Sequence, residues 1–143
     1  MPHFGTKSMG SLVTCSRDLQ TVMHEAIKYY DFSVVYGYRD PELQFELFKK
    51  GRKEFGGKWI VDKADQVVTF KDGTEKKSKH NADPSRAVDI IPYPTGWIDK
   101  KQFYYMAGVV MTVSDLFYKQ NKIEKPLVWG GSWDWVDLPH FQI

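Results

Sequence analysis

An α+β fold, a small antiparallel sheet packed with helices, is what the apolar patterning of this sequence predicts. Three observations carry the prediction. Helical spacing of apolar residues recurs over residues 16–30, 40–51 and 99–120. Short apolar runs with strand character occupy residues 32–36, 87–92, 127–129 and 140–143. The two kinds are mixed, without the regular strand–helix alternation that marks a parallel sheet. At 143 residues the chain has the length of one domain, 1–143, and can bury a core without disulfide staples.

Taken in order, residues 1–10 show no apolar period and are expected to form a loose N-terminal arm. Ser16 suits an N-cap, after which Leu19, Val22, Met23, Ala26 and Tyr30 share one face of a first helix running to about Tyr30. Residues 32–36 read as a strand. Asp40-Pro41-Glu42 opens a second helix, with Asp40 as N-cap, Pro41 at the first helical position and Glu42 near the positive end of the dipole. Gly51 is its natural stop. Residues 57–77 look like an irregular excursion, in which 66–70 and the stretch from Thr74 are expected to pair across Lys71-Asp72-Gly73. Residues 87–92 read as a buried strand with an aspartate in its middle. Asp99 and Gln102 form a capping-box-like start for a third helix through about Gln120. Its apolar stripe is Phe103, Met106, Ala107, Val110, Val113, Leu116 and Phe117. Residues 127–129 and 140–143 complete the strands.

Composition narrows the function classes. Hydrophobic residues make up 42 % and charged residues 27 %, the balance of an ordinary soluble domain. Aromatics reach 15 %, enough for a core built around rings or a cleft lined by them. A net charge of +2 implies no strongly charged partner. The local clusters Lys49, Lys50, Arg52, Lys53 and Lys76, Lys77, Lys79 are read as solvated faces, so no nucleic-acid partner is expected. Cys15 is the single cysteine, which excludes an internal disulfide and a thiolate-rich zinc site. No secretory signal is visible at the start. The longest apolar stretch, residues 106–113, falls far short of the roughly 20 residues that span a bilayer. A soluble product of the cytoplasm, without membrane partners, is expected.

The chemistry-bearing residues stand out by their settings. Asp89 lies within Ala-Val-Asp-Ile-Ile, where a carboxylate is costly unless something compensates it. His80 precedes it by nine residues, and His140 follows Pro139 near the end. Two imidazoles and one carboxylate make a common catalytic zinc set that leaves a fourth position for water. Each residue alone has a plainer role: a histidine on the surface or in a hydrogen bond, an aspartate paired with Arg86 or Arg39. His3 and His24 are taken as surface residues.

Ser78-Lys79-His80, then Ala87-Val88-Asp89, then Asp137-Leu138-Pro139-His140 resemble the zinc peptidase family of D-alanyl-D-alanine carboxypeptidases and phage L-alanyl-D-glutamate endopeptidases. That family carries a Ser-x-His, an Ala-x-Asp shortly after it, and an acidic-x-x-His near the C-terminus. Gly37-Tyr38-Arg39-Asp40-Pro41-Glu42 with Gln44 resembles its Gly-Tyr-Arg segment before a helix, and Trp129-Gly130-Gly131-Ser132-Trp133 also fits. The resemblance spans roughly residues 34–141 and implies a hedgehog/DD-peptidase-like fold. Two departures stand out. Eight residues separate His80 from Asp89, where the family usually has about six, and Ser85 stands in place of a glycine. The longer loop brings in Asp83 as a competing ligand; Asp89 is preferred because it carries the Ala-x-Asp pattern.

The resemblance implies a zinc ion (Zn2+) held by His80, Asp89 and His140, with Asp137 as the catalytic base. Arg39 is the matched candidate for stabilising charge on the scissile carbonyl or holding a substrate carboxylate. Ser78 is expected to support the substrate or a ligand by hydrogen bonding. Trp129, Trp133 and Trp135 are expected to wall the cleft or to pack in the core. The implied function is peptidoglycan hydrolysis by a monomeric, single-domain phage endolysin cutting the L-alanyl-D-glutamate bond of the stem peptide. Such an enzyme is made in the host cytoplasm and meets the wall after the membrane is permeabilised. Hydrolysis of D-alanyl-D-alanine and a non-catalytic zinc-containing module are the alternatives.

Overall fold

The computed structural model describes residues 1–143 and orders the chain as α1 (Thr6–Leu12), α2 (Arg17–Ala26), β1 (Phe32–Tyr36), α3 (Pro41–Lys49), β2 (Arg52–Phe55), β3 (Lys58–Val61), β4 (Ala87–Pro92), α4 (Lys100–Lys119), β5 (Val128–Trp129) and β6 (His140–Gln142). The α+β class expected from the patterning is the one observed. Four strands form an antiparallel sheet in the order β1-β4-β6-β5, and β2 and β3 form a separate hairpin.

Side chains alternate across a strand, and in this sheet the alternation divides core from chemistry. Val34, Val88, Ile90 and Phe141 point to one face, where they meet Leu19, Val22, Met23 and Ala26 of α2 and Phe103, Met106, Ala107 and Val110 of α4. Phe103 and Phe141 are almost completely buried, and each such ring contributes about 2–3 kcal/mol of transfer free energy. The opposite face carries Asp89 and His140, which are direct register partners across β4 and β6. A register shift between Val34 and Tyr36 sets Tyr36 opposite Asp89, a local bulge beside the one buried carboxylate of the sheet.

The helix starts follow their capping chemistry. The Asp40 carboxylate accepts from Leu43 N at 2.7 Å, with Pro41 next to it in the first turn of α3. Asp99 accepts from Lys101 N at 3.0 Å at the head of α4. Ser16 occupies the N-cap of α2 without a side-chain capping bond. That helix ends at Ala26, four residues before Tyr30, whose hydroxyl reaches Gln102 Oε1 at 2.6 Å.

Several expectations are corrected. Residues 1–10 are not a loose arm: they hold most of α1, which is fixed by the buried Leu12, by Ser8 Oγ accepting from Val34 N at 3.0 Å, and by the Phe4 ring edge-on to Phe32 at 5.4 Å. Residues 66–70 and the stretch from Thr74 form no strands across Asp72-Gly73; the hairpin of this region is β2–β3, which begins before the expected excursion and turns at Gly56-Gly57, both at positive φ. Asp72 instead caps its own loop, accepting from Thr74 N and Lys76 N. On α4, Leu116 is 49 % exposed and Ser114 is buried in the stripe, where its Oγ accepts from Leu127 N at 2.8 Å and ties the approach to β5 onto the helix. Arg52 also departs from the solvated face expected of its cluster. Its guanidinium lies over the Phe48 ring at 4.0 Å and donates to the carbonyls of Phe48 and Thr69, clamping the loop after β3 to α3. No helix is long and apolar enough to cross a membrane.

Candidate metal centre

Three segments distant in sequence deliver the side chains. β4 supplies Asp89 and β6 supplies His140, while His80 comes from a single 3-10 turn, Lys79–Asn81. That turn is built by Ser78: its Oγ accepts from His80 N at 3.2 Å, and Asn81 Oδ1 accepts from Ser78 N at 2.8 Å, a capping box. Asn81 Nδ2 then donates to the Arg39 carbonyl at 2.9 Å and Arg39 N donates to the His80 carbonyl at 2.8 Å. Ser78 thus holds the ligand-bearing turn, and that turn is stitched to the Gly37-Tyr38-Arg39 segment. Gly37 is required there, because a Cβ would run into Ser11 O and Thr14 Oγ1.

His80, Asp89 and His140 are all buried, and their candidate ligand atoms lie within 4.8 Å of one another. Asp83 stays exposed on the loop and outside this group. Of the two arginines named for Asp89, Arg39 makes the ion pair, through Nη2 to Oδ2, while Arg86 is exposed. Arg39 is itself 8 % exposed, donates to Gln44 Oε1 at 3.3 Å and packs over the Tyr36 ring at 4.3 Å.

The fit to a metal can be tested on the ring nitrogens. His80 Nδ1 donates to the Gly37 carbonyl at 2.7 Å, which leaves Nε2 without a proton in the neutral ring. That buried Nε2 has no hydrogen-bond partner, although Asp89 Oδ2 is only 3.3 Å away. A bare lone pair facing a carboxylate is unfavourable unless a cation lies between them. His140 presents Nδ1 to Asp89 Oδ1 at 3.2 Å, and its Nε2 meets Gln142 Oε1 at 2.9 Å. Each ring therefore has an outer acceptor on one nitrogen and the carboxylate near the other, the arrangement that orients metal-binding histidines. The donor set fits a metal ion.

Charge in the cluster is strongly coupled. Burial alone would push the Asp89 carboxyl up, but His80, His140 and Arg39 outweigh it and hold the group well below the usual carboxylate range. Burial lowers His80 despite the pull of Asp89, so its ring is neutral. For His140 burial acts downward too, but the hydrogen bond and charge of Asp89 win and raise it.

Asp137 lies beside this set rather than in it, with Oδ2 3.9 Å from His140 Nδ1. Burial first, and then the charge of Asp89, push its carboxyl up to about 6. Gly130 holds this residue in place: its carbonyl accepts from Asp137 N at 2.9 Å, and a Cβ on Gly130 would sit 2.5 Å from Asp137 O and 3.1 Å from His140 Cβ. The tryptophans divide their work. Trp129 stacks on Phe141 and donates to Leu138 O at 2.8 Å, a structural role. Trp133 lies against the His140 ring at 5.1 Å, and the exposed Trp135 meets Phe70 edge-on at 4.9 Å.

All six residues singled out in the sequence, Arg39, Ser78, His80, Asp89, Asp137 and His140, thus fall in one neighbourhood. Sequence reasoning missed Gln142 and the Gly37 carbonyl as partners of the two rings. For Gln142 a signal existed, since i and i+2 on a strand share a face. For the carbonyl, 43 residues from His80, none did.

No protein-family model matches the chain, and no curated protein matches it. Among solved structures, the fold is similar to that of the Serratia marcescens L-Ala D-Glu endopeptidase ChiX, with a TM-score of 0.65 and 23 % identity over 98 % of this chain and 88 % of that one. At that identity the likeness is one of fold.

Proposed function

We propose that the chain is a zinc-dependent peptidoglycan hydrolase that cuts the L-alanyl-D-glutamate bond of the stem peptide. The observation that carries this reading is the buried His80–Asp89–His140 cluster, its ring nitrogens oriented by outer acceptors and its one bare lone pair turned to a carboxylate. The similarity in fold to an L-Ala D-Glu endopeptidase supports the choice of bond.

His80 through Nε2, Asp89 through its carboxylate and His140 through Nδ1 would hold the zinc. When bound, the ion supplies Lewis acidity to the scissile carbonyl and lowers the pKa of water toward roughly 7. Asp137 then does the proton work. With its carboxyl pushed up to about 6, it is mostly ionised at neutral pH, yet basic enough to take a proton from the attacking water and return it to the leaving amine. Arg39, buried and ion-paired with Asp89, would hold that ligand's carboxylate in place and add its positive charge to a site that must accept negative charge on the carbonyl oxygen. Ser78 acts through the turn that carries His80. The enzyme in this reading is a phage lysin that acts as a monomer on the wall once the membrane is breached.

Mass spectrometry of purified peptidoglycan digested with and without a chelator tests it. Released peptides should carry new N-terminal D-glutamate, glycan-linked stubs should end in free L-alanine, and both should vanish with the metal and return with zinc. Release of D-alanine alone would overturn the endopeptidase reading, and no product from a folded, zinc-loaded protein would overturn hydrolysis.

A further inference from the structure

Gln142 has no part in the proposed reaction, yet its side chain meets one of the ligating rings. In β6 it lies two residues after His140, so both side chains leave the same face of the strand, away from Phe141 and the core. Its backbone is fixed on both sides, opposite Ala87 of β4 and Val128 of β5. The amide oxygen Oε1 faces His140 Nε2 at 2.9 Å. The His140 ring has little freedom to turn away, because it lies against Trp133 at 5.1 Å and edge-on to His80 at 5.1 Å.

A neutral imidazole has one N–H to place. On Nδ1 it would donate to Asp89 Oδ1, 3.2 Å away, and no lone pair would be left for a metal on that side. On Nε2 it donates to Gln142 Oε1, and Nδ1 is bare toward Asp89. Without an acceptor at position 142, the metal-ready form would leave a buried N–H unpaired, which is costly in a site this enclosed. Glutamine also supplies the acceptor without adding a third carboxylate to a site that already holds Asp89 and Asp137.

We infer that Gln142 is a positioning residue: it holds the proton of His140 on Nε2 and so keeps Nδ1 ready to bind the metal. The inference rests on the metal site proposed above and is independent of the bond cut. His80 has the corresponding arrangement from the Gly37 carbonyl, a backbone acceptor that no side-chain change removes. Gln142 is therefore the point at which ring orientation is open to substitution.

The test uses the full chain, zinc alone as the probe and competition with a chromophoric chelator at fixed pH. Gln142→Leu keeps the size of the side chain but has no acceptor, and zinc affinity should fall about 10–100-fold. Gln142→Glu restores an acceptor and should bind within a few-fold of the parent or more tightly. Nitrogen-15 and proton spectra of the zinc-saturated proteins give a second readout: the His140 Nε2–H should carry the signature of a hydrogen bond in the parent and the Glu variant, and lose it in the Leu variant. Should the Leu variant unfold, Gln142→Ser, too short to reach the ring, takes its place with the same expectation. A folded Leu or Ser variant with parental zinc affinity and an unchanged Nε2–H signal would overturn the inference. A parent chain that binds no zinc would instead remove the metal site on which it stands.

Discussion

Gly130→Ala isolates the placement of Asp137 and His140 from their chemistry. The added methyl would lie 2.5 Å from Asp137 O, 3.0 Å from Asp137 Cβ and 3.1 Å from His140 Cβ, against an ordinary contact of 3.4 Å or more. Relief requires the 137–140 segment to move by about 0.9 Å relative to the Gly130 turn, a displacement of the size that costs roughly 10²-fold in rate when it misplaces reacting groups. The contacts are backbone and Cβ atoms, so no flexible side chain can simply swing aside. Overpacking of this kind typically costs about 1–3 kcal/mol, and stability should drop by several degrees of melting temperature. The assay is kcat/KM on purified peptidoglycan beside zinc affinity by chelator competition and thermal unfolding. The expected result is a folded protein with kcat/KM down about 100-fold and weaker zinc binding. A variant that loses stability but keeps parental kcat/KM and zinc affinity would refute the argument that this turn positions the site.

Elemental analysis of His80→Ala, Asp89→Ala and His140→Ala should show loss of zinc in each, while Asp83→Ala keeps it; the reverse for Asp83 and Asp89 would reassign the carboxylate ligand. Asp137→Asn should keep its zinc and lose roughly 10²–10⁴-fold in turnover, and near-parental hydrolysis by the folded variant would remove Asp137 from the mechanism. The Cys15 thiol, almost fully buried, is pushed up to about 12 from 9.0, chiefly by burial. Its folded pKa is raised, so the stability it contributes is fully present below pH 9 and is lost as pH rises toward 12. Each pH unit within that window removes about 1.4 kcal/mol. Parent and Cys15→Ala stabilities should therefore converge by roughly 2 kcal/mol between neutral pH and about pH 10.5, read from urea unfolding. Parallel curves would mean that the thiol ionises as easily folded as unfolded.

Much of the site was legible because its residues break local rules. A carboxylate inside Ala-Val-Asp-Ile-Ile demands compensation, and Arg39, His80 and His140 supply it. The helix starts at Asp40 and Asp99 were legible because capping is local chemistry. What escaped was tertiary. α1 has seven residues, no acidic residue in its first turn and a glycine within it, so little in its sequence favours a helix. Packing of Phe4 and Leu12 stabilises it instead. The β2–β3 hairpin was hidden by a first strand, Arg52–Phe55, in which three of four residues are charged, and the Asp72-Gly73 pair drew the turn to the wrong place although Gly56-Gly57 carries as strong a signal. Arg52 looked like one more solvated cation because its partners, the Phe48 ring and the Thr69 carbonyl, meet it only in the folded chain.

The strand order β1-β4-β6-β5 has a consequence in time as well as in space. β6 follows the other three strands of its sheet in the chain yet takes an interior place, and β5 joins the sheet only through it. Until β6 pairs, β1 and β4 can be joined and packed on the helices while the other edge of β4 stays open. Asp89 then faces solvent without its second histidine, and the three-residue ligand set is incomplete until residues 140–142 slide in. The proposed metal centre and the finished sheet therefore close in the same step, because His140 is at once a strand residue and a candidate ligand.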